Sequence, residues 1–369
     1  MSAAGADVFV HPGVLHRPVA VGVRVRPTLS RGRARIPYKV FGKLRAFALH
    51  DYIVSKRLEA LRGEIDIVHT WPLSAARTLK TAAKLGIPTV LERPNAHTRF
   101  AYESVREECR RMGIVLPPGH EYEYNEEILR KEEEEYRLAY RLLCPSDFVV
   151  KTFIDKGVPM EKLARHQYGF DEGMYQPPQI RRDPSRGLTM LFAGVCAVRK
   201  GLHYALDAWL RSSAHYCGTF LIAGEFLPAY QEKLSSMLSH PSVKVLGFRN
   251  DISELMQKSD VFILPSIEEG SALVASEARG SGCVLLVSEA AGAICKHNQD
   301  ALVHSVGDVA TLAEHITSLN DNRALLNRLR TSSLATLQDI TWKAAGTRLL
   351  EVYEETIASK SRTASLQLV

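Results

Sequence analysis

Residues 262–286 read FILPSIEEGSALVASEARGSGCVLL. The apolar run Val261 to Leu264 predicts a buried strand, and Pro265 to Gly270 a polar turn. A helix is expected from about Ala272 to Arg279, stopped by Gly280 and Gly282. Cys283 to Val287 then returns as a second strand. Strand, loop, helix and strand in that order are the unit of a parallel sheet. Two carboxylates stand out. Glu269 lies on the loop at the carboxyl end of a strand, where open α/β sheets bind ligands. Glu277 follows two helical turns later, on a spacing that lets both point toward one crevice.

The same alternation extends upstream. Thr189 to Ala193, Thr219 to Ala223 and Val243 to Leu246 read as strands, separated by helices over Leu202 to Arg211, Ala229 to Ser239 and Ile252 to Lys258. A strand near Ala301 to His304 and helices over Val309 to Leu319, Arg323 to Leu337 and Trp342 to Ile357 follow, the last with Thr341 as its N-cap. The first half repeats the pattern. Asp7 to Val10 and Val21 to Val25 are short β-type runs. Tyr38 to Leu61 reads as an amphipathic helix with Phe41, Leu44, Phe47, Ala48, Tyr52 and Leu58 near helical spacing. Ile65 to His69 and Ile87 to Glu92 are strands around a helix over Ser74 to Leu85, and the second strand runs into the loop RPNAHTRF (93–100). Glu121 to Leu142 is a charged helix whose four glutamates, 132 to 135, read as a solvated face with pairs such as Arg130–Glu134. Arg141 to Pro145 is a strand, and Ser146 caps the helix after it. Gly and Pro break the pattern in Tyr168 to Pro178, and the linker is placed at the charged segment Arg181 to Gly187. The expected organisation is one α/β domain over 1–175, a second over 188–340 and a final helical segment over 341–369. Two such domains in series imply a cleft between them.

Composition narrows the function classes. No apolar run approaches the roughly 20 residues that span a bilayer, and the N-terminus lacks a charged start with an apolar core. Six cysteines without a CxxC pair argue against a disulfide framework or zinc site and for a reducing cytoplasm. The net charge of +6 is uneven: between Val14 and Arg62 twelve Lys or Arg face two acids, Asp51 and Glu59. That surface reads either as a solvated arginine-rich face or as one that meets an anionic partner, such as a lipid headgroup or an acceptor phosphate. No nucleic-acid motif accompanies the charge.

FAGVCAVRKG (192–201) and the E-x7-E pair Glu269/Glu277 together make the second half resemble a family 4 glycosyltransferase of the GT-B fold, two Rossmann-like domains facing a central cleft. CPSDFVVKTFIDKG (144–157) and YGFDEGMYQP (168–177) are similar to the segment that closes the N-terminal domain of that family. The resemblance implies a nucleotide-sugar donor whose diphosphate becomes the leaving group. Arg199 and Lys200 suit stabilisation of the charge that develops there, Arg as a two-oxygen clamp and Lys as a point charge. Backbone N–H groups at the start of the helix after Gly270, from Ser271, Ala272 and Leu273, can face a phosphate or sugar oxygen. By resemblance Glu277 holds the ribose hydroxyls and Glu269 contacts the transferred sugar near its anomeric carbon. Glu268 competes with Glu269, but only Glu269 has the family spacing. His97 is the acceptor-side candidate, with His69 a weaker one lining the same cleft; the alternative for both is a loop histidine without a role.

Three departures bear on this. Val195 stands where the family often has arginine, Ser271-Ala272 replace an aromatic-glycine pair, and Tyr168-Gly169-Phe170 replace an asparagine-glycine step. The N-terminal sheet is also expected to lack its first strand and glycine loop, as for a chain with a late start. The implied function is a cytoplasmic, retaining hexosyltransferase, peripheral at the inner membrane face, that takes a nucleotide-diphospho-sugar and a glycan or lipid-linked acceptor. No metal or other cofactor is expected, since the chain has no DxD motif. The alternatives are a GT-B epimerase or phosphorylase, and a degenerate nucleotide-sugar-binding protein.

Overall fold

The computed structural model describes residues 5–15, 19–31, 34–36, 41–178 and 186–366. The start of the helix expected from Tyr38, and most of the linker expected at Arg181 to Gly187, lie outside them.

Strands β1 (Val8–Val10) and β2 (Val23–Val25) pair in parallel, and β3 (Ser30–Arg31) and β4 (Ala34–Arg35) form a short antiparallel ribbon. Helix α1 (Lys43–Ala60) follows, then β5 (Val68–Thr70), α2 (Ala76–Lys84), β6 (Thr89–Glu92), α3 (Thr98–Met112), α4 (Glu126–Leu138), β7 (Arg141–Cys144), α5 (Asp147–Ile154) and β8 (Leu163–Arg165). Strands β5 to β8 form a four-stranded parallel sheet in sequence order. Among the described residues no strand joins β1–β2 to it.

The second half holds β9 (Thr189–Ala193), α6 (Leu202–Arg211), β10 (Thr219–Ala223), α7 (Pro228–Leu238), β11 (Val243–Gly247), α8 (Ile252–Lys258), β12 (Val261–Leu264), α9 (Leu273–Gly280), β13 (Val284–Ser288), β14 (Ala301–His304), α10 (Val309–Asp321), α11 (Arg323–Ala335) and α12 (Trp342–Leu366). Its six strands lie in the order β11-β10-β9-β12-β13-β14, all parallel. Helices cover both faces, so Val261, Phe262, Ile263 and Leu264 are all fully buried. Each such side chain contributes about 2 kcal/mol of apolar burial. The order reverses between β9 and β12, and a crevice opens outside their carboxyl ends.

Two expectations about helices need correction. Of the apolar stripe assigned to the first helix, Leu58 is buried but Phe41, Ala48 and Tyr52 are exposed, and Ala46, Asp51 and Ser55 complete the buried face. Asp51 turns inward because its carboxylate accepts the backbone N–H groups of Arg77 and Thr78 at the start of α2, at 2.7 and 2.9 Å. Nor is the 132–135 run a solvated face. Glu133 and Glu134 pair with Arg99 and Lys80, but Glu132 and Glu135 are buried. Glu132 meets Arg93, Thr98 and Tyr136, and Glu135 accepts from Leu73 N at 2.7 Å and Ala75 N at 2.8 Å.

The caps behave as expected. Ser146 Oγ accepts from Val149 N at 3.2 Å and Thr341 Oγ1 from Ala344 N at 3.2 Å. Helix α12 runs back over the N-terminal sheet: Val352 is buried with Val90, Leu143 and Ala164, and the Tyr353 hydroxyl lies 2.6 Å from His69 Nδ1.

Candidate active site

The loops after β9 and β12 leave their strands at the point where the sheet order reverses. The first turns through Val198–Lys200 and ends at Gly201, whose φ of 66° and close approach to Pro265 admit no side chain. Ile267 N donates to Arg199 O at 2.8 Å, which ties this turn to the glutamate loop. Four charged groups meet there. Arg199 Nη1 lies 3.0 Å from Glu269 Oε1 and 3.6 Å from Glu268 Oε2, and Lys200 Nζ donates to Glu269 Oε2.

The two glutamates differ in state. Burial opposes ionisation of both. Around Glu269 the Lys200 ammonium and the Arg199 guanidinium outweigh it and hold the carboxyl below its ordinary range. Glu268 is fully buried with Oε2 lacking a hydrogen bond, and desolvation pushes it up against the pull of Arg199. Adjacent carboxyls pushed in opposite directions allow one to stay charged while the other holds a proton.

The wall opposite comes from the first half of the chain. Ala96 N donates to Glu268 Oε1 at 3.1 Å, and Ser146 Oγ donates to Gly270 O at 2.6 Å. Gly270 is pressed against Pro94, so that a Cβ there would collide with the Pro94 carbonyl. The Arg199 guanidinium lies 4.9 Å from the centre of the buried Tyr122 ring. Tyr122 escaped sequence reasoning because HEYEY (120–124) is a polar stretch far from the other site residues, with no spacing that links it to them.

Of the expected site residues, Arg199, Lys200, Glu269 and Gly270 are brought together. Ser271 is half-buried, Ala272 buried and Leu273 exposed at the start of α9, which has no side-chain cap. Of its first N–H groups, Ala272 N donates to Ala291 O at 3.2 Å and Ala275 N to Ala272 O at 2.9 Å, which leaves Leu273 N and Val274 N as the ones open to a ligand. Glu277 is half-buried and bonded to the Tyr175 hydroxyl; burial raises its carboxyl despite that bond.

His97 is placed differently from a group that reaches into the crevice. It caps α3, its Nδ1 accepting from Arg99 N at 3.2 Å, and its ring packs on Tyr136 and Phe153. Burial, aided by Arg93, Lys156 and Arg99, lowers it to about 3, so the imidazole is neutral. Its link to the glutamates runs through the backbone of Ala96. His69 lies within β5 between Tyr353 and Glu92 Oε2, the latter at 3.2 Å. Among the described residues no group of three or more His, Cys, Asp or Glu is arranged to hold a metal, and no helix is long and apolar enough to cross a membrane.

Comparison with known proteins follows this geometry. Residues 187–322 match the family model described as glycosyl transferases group 1. The chain is 34% identical over 83 residues to UDP-Gal:alpha-D-GlcNAc-diphosphoundecaprenol alpha-1,3-galactosyltransferase of Escherichia coli, covering 22% of this chain and 21% of that one. It is 33% identical over 104 residues to N,N'-diacetylbacillosaminyl-diphospho-undecaprenol alpha-1,3-N-acetylgalactosaminyltransferase of Campylobacter jejuni, covering 27% and 28%. The chain thus matches between a fifth and a third of the length of these two relatives. The crystal structure of Anabaena HepE in complex with UDP superposes with a TM-score of 0.62 at 18% identity, over 91% of this chain and 86% of that one. The fold is GT-B, as the sequence led one to expect.

Proposed function

We propose that this GT-B chain, with its glycosyl transferases group 1 region, is a retaining hexosyltransferase that uses a nucleotide-diphospho-sugar. The observation that carries the reading is the Arg199–Lys200 pair, held at the switch point beside the uncapped start of α9 and opposite Ala96. In transfer the bond from the anomeric carbon to the diphosphate oxygen breaks and a bond to the acceptor oxygen forms. The leaving diphosphate gains negative charge, and its departing oxygen takes the proton that the acceptor hydroxyl loses. Two fixed cations and the N–H groups of Leu273 and Val274 at the start of α9 favour that charge more in the transition state than in the ground state. Without donor, the single Glu269 carboxylate pairs with both cations. An entering diphosphate competes for them and frees the Glu269 carboxylate to face the sugar. Glu277 takes the ribose hydroxyls, and the His97 loop forms the acceptor side.

The acceptor class is supported by the two relatives named above, whose names specify diphosphoundecaprenol-linked sugars. We assign this chain a lipid-linked or cell-envelope glycan, met at the inner membrane face by the exposed Arg24, Arg26, Arg31, Arg35 and Arg45. A screen of UDP-, GDP- and ADP-sugars for thermal stabilisation identifies the donor. Lys200→Ala and Glu269→Ala are each expected to lower kcat/KM for transfer by about 10²–10³-fold. Unchanged turnover in both variants removes the site assignment. Nucleotide-dependent stabilisation without hydrolysis or transfer replaces the enzyme by a nucleotide-sugar-binding protein.

A further inference from the structure

The turn after β5, WPLSA (71–75), is held more firmly than a surface connection needs. Leu73 sits in the left-handed region at a φ of 68°, unusual for a branched apolar residue. Glu135 from α4 accepts both Leu73 N and Ala75 N. Asp51 from α1 accepts Arg77 N, Thr78 N and the Thr78 hydroxyl, the last at 2.7 Å. Both carboxylates are buried, Asp51 at 5% and Glu135 at 2% exposure. Burying a carboxylate is costly, and here Glu135 holds the turn itself while Asp51 holds the first turn of α2 that follows it.

What the turn displays is Trp71, 55% exposed. The other two tryptophans have partners: Trp209 is buried and donates to Ser242, and Trp342 packs against Tyr168. The Trp71 indole has no ring contact or hydrogen bond with a described residue. Its position is set by register. Thr70 pairs with Leu91, so Trp71 leaves the sheet level with Glu92, one strand away. Two residues past Glu92 is Pro94, against Gly270 of the candidate site. At about 4.8 Å between strands, Trp71 stands within roughly 10 Å of that contact along the same sheet edge.

We propose that Trp71 is the stacking platform for the sugar ring of the acceptor, its indole face covering the apolar C–H face of a pyranose. The proposal rests on the transferase reading given above. A large rigid aromatic binds with little loss of side-chain freedom, and a pinned turn keeps it in place when empty.

The test uses the full chain carrying Trp342→Phe, in which Trp71 is the exposed indole. Octyl β-D-glucoside and octyl N-acetyl-α-D-glucosaminide, below their micelle concentrations, are titrated with UDP present. A saturable emission shift is expected, and it is lost in Trp71→Ala. With the identified donor, the acceptor KM is expected to rise about tenfold in Trp71→Ala and about twofold in Trp71→Phe. An unchanged acceptor KM in Trp71→Ala overturns the proposal. So does an emission shift produced equally by phosphatidylglycerol vesicles without glycoside, which makes Trp71 a membrane contact. If no nucleotide-sugar binds or reacts, the transferase reading falls, while a saturable, Trp71-dependent shift with the glycosides upholds the sugar platform.

Discussion

At His97 and Glu92 the same physical force, desolvation, ends in opposite charge states because the neighbours differ. His97 has cations around it and no carboxylate partner, so burial and charge both favour the neutral ring. Its folded pKa, about 3, lies below the ordinary 6.5. Between those values the unfolded chain binds the extra proton, so this residue withdraws stability as pH falls from 6.5 toward 3. It also stays neutral throughout the pH range of an enzyme assay. The pH–rate profile is expected to show no limb above about pH 4 that disappears in His97→Asn, a variant that keeps an N-capping side chain. Glu92 is buried too, but hydrogen bonds from His166 and His69 outweigh burial and lower it from 4.5 to about 2. A carboxyl depressed in the folded state stabilises above its unfolded pKa, and that contribution is lost as pH falls from 4.5 to 2. The loss is about 3 kcal/mol at 1.36 kcal/mol per unit. Urea midpoints measured across that window should fall steeply for the parent chain and much less for Glu92→Gln.

At the scale of elements, α4 and the turn after β5 stand or fall together. Glu135→Ala leaves Leu73 N and Ala75 N without their acceptor. Burial has raised this carboxyl to about 7, so part of its cost is recovered on removal. Two buried N–H groups without partners cost about 2–4 kcal/mol, which outweighs it. A lower urea midpoint, with faster amide exchange confined to residues 71–78, is the expected result; unchanged exchange there separates the helix from the turn. The same pairing explains what sequence could and could not disclose. Strands such as Val261–Leu264 announce themselves because burial on both faces forces a continuous apolar run. The Arg199/Lys200 and Glu269/Glu277 signals are local spacings and were legible. The inward turn of Glu132 and Glu135 was not, since their partners Arg93, Leu73 and Ala75 lie 39 to 62 residues away in sequence. A charged helix looks solvated until its neighbours are known. Asp51 turns inward for the same reason, with Arg77 and Thr78 lying 26 and 27 residues away, and Tyr122 reaches Arg199 only through the packing of the loop after α3.

At the scale of the molecule, the two sheets meet loop to loop at the candidate site. Pro94, Ala96 and Ser146 come from one side, and Glu268 and Gly270 from the other. A second tie lies on α3, where Glu108 holds His203 at 3.1 Å. Interfaces of this kind between domains open and close, and closure completes a reacting geometry. Gly270→Ala tests how far the proposed chemistry depends on that contact. The new Cβ meets backbone on the opposing loop, which cannot rotate aside as a side chain would. Relief comes by moving the loops apart, at about 1–3 kcal/mol. Arg199 and Lys200 meet Glu269, the chain neighbour of Gly270, so donor affinity is coupled to the change, but these groups stay together on the second half and donor affinity should fall by less than turnover does. Turnover depends on both walls, and a displacement of about 1 Å costs on the order of 10²-fold. Gly270→Ala should therefore show a larger radius of gyration in solution scattering, a smaller loss of donor stabilisation than of turnover, and a hundredfold lower kcat. Parental kcat with an unchanged radius would mean that the contact between Pro94 and Gly270 is incidental and that the second half alone carries the transfer.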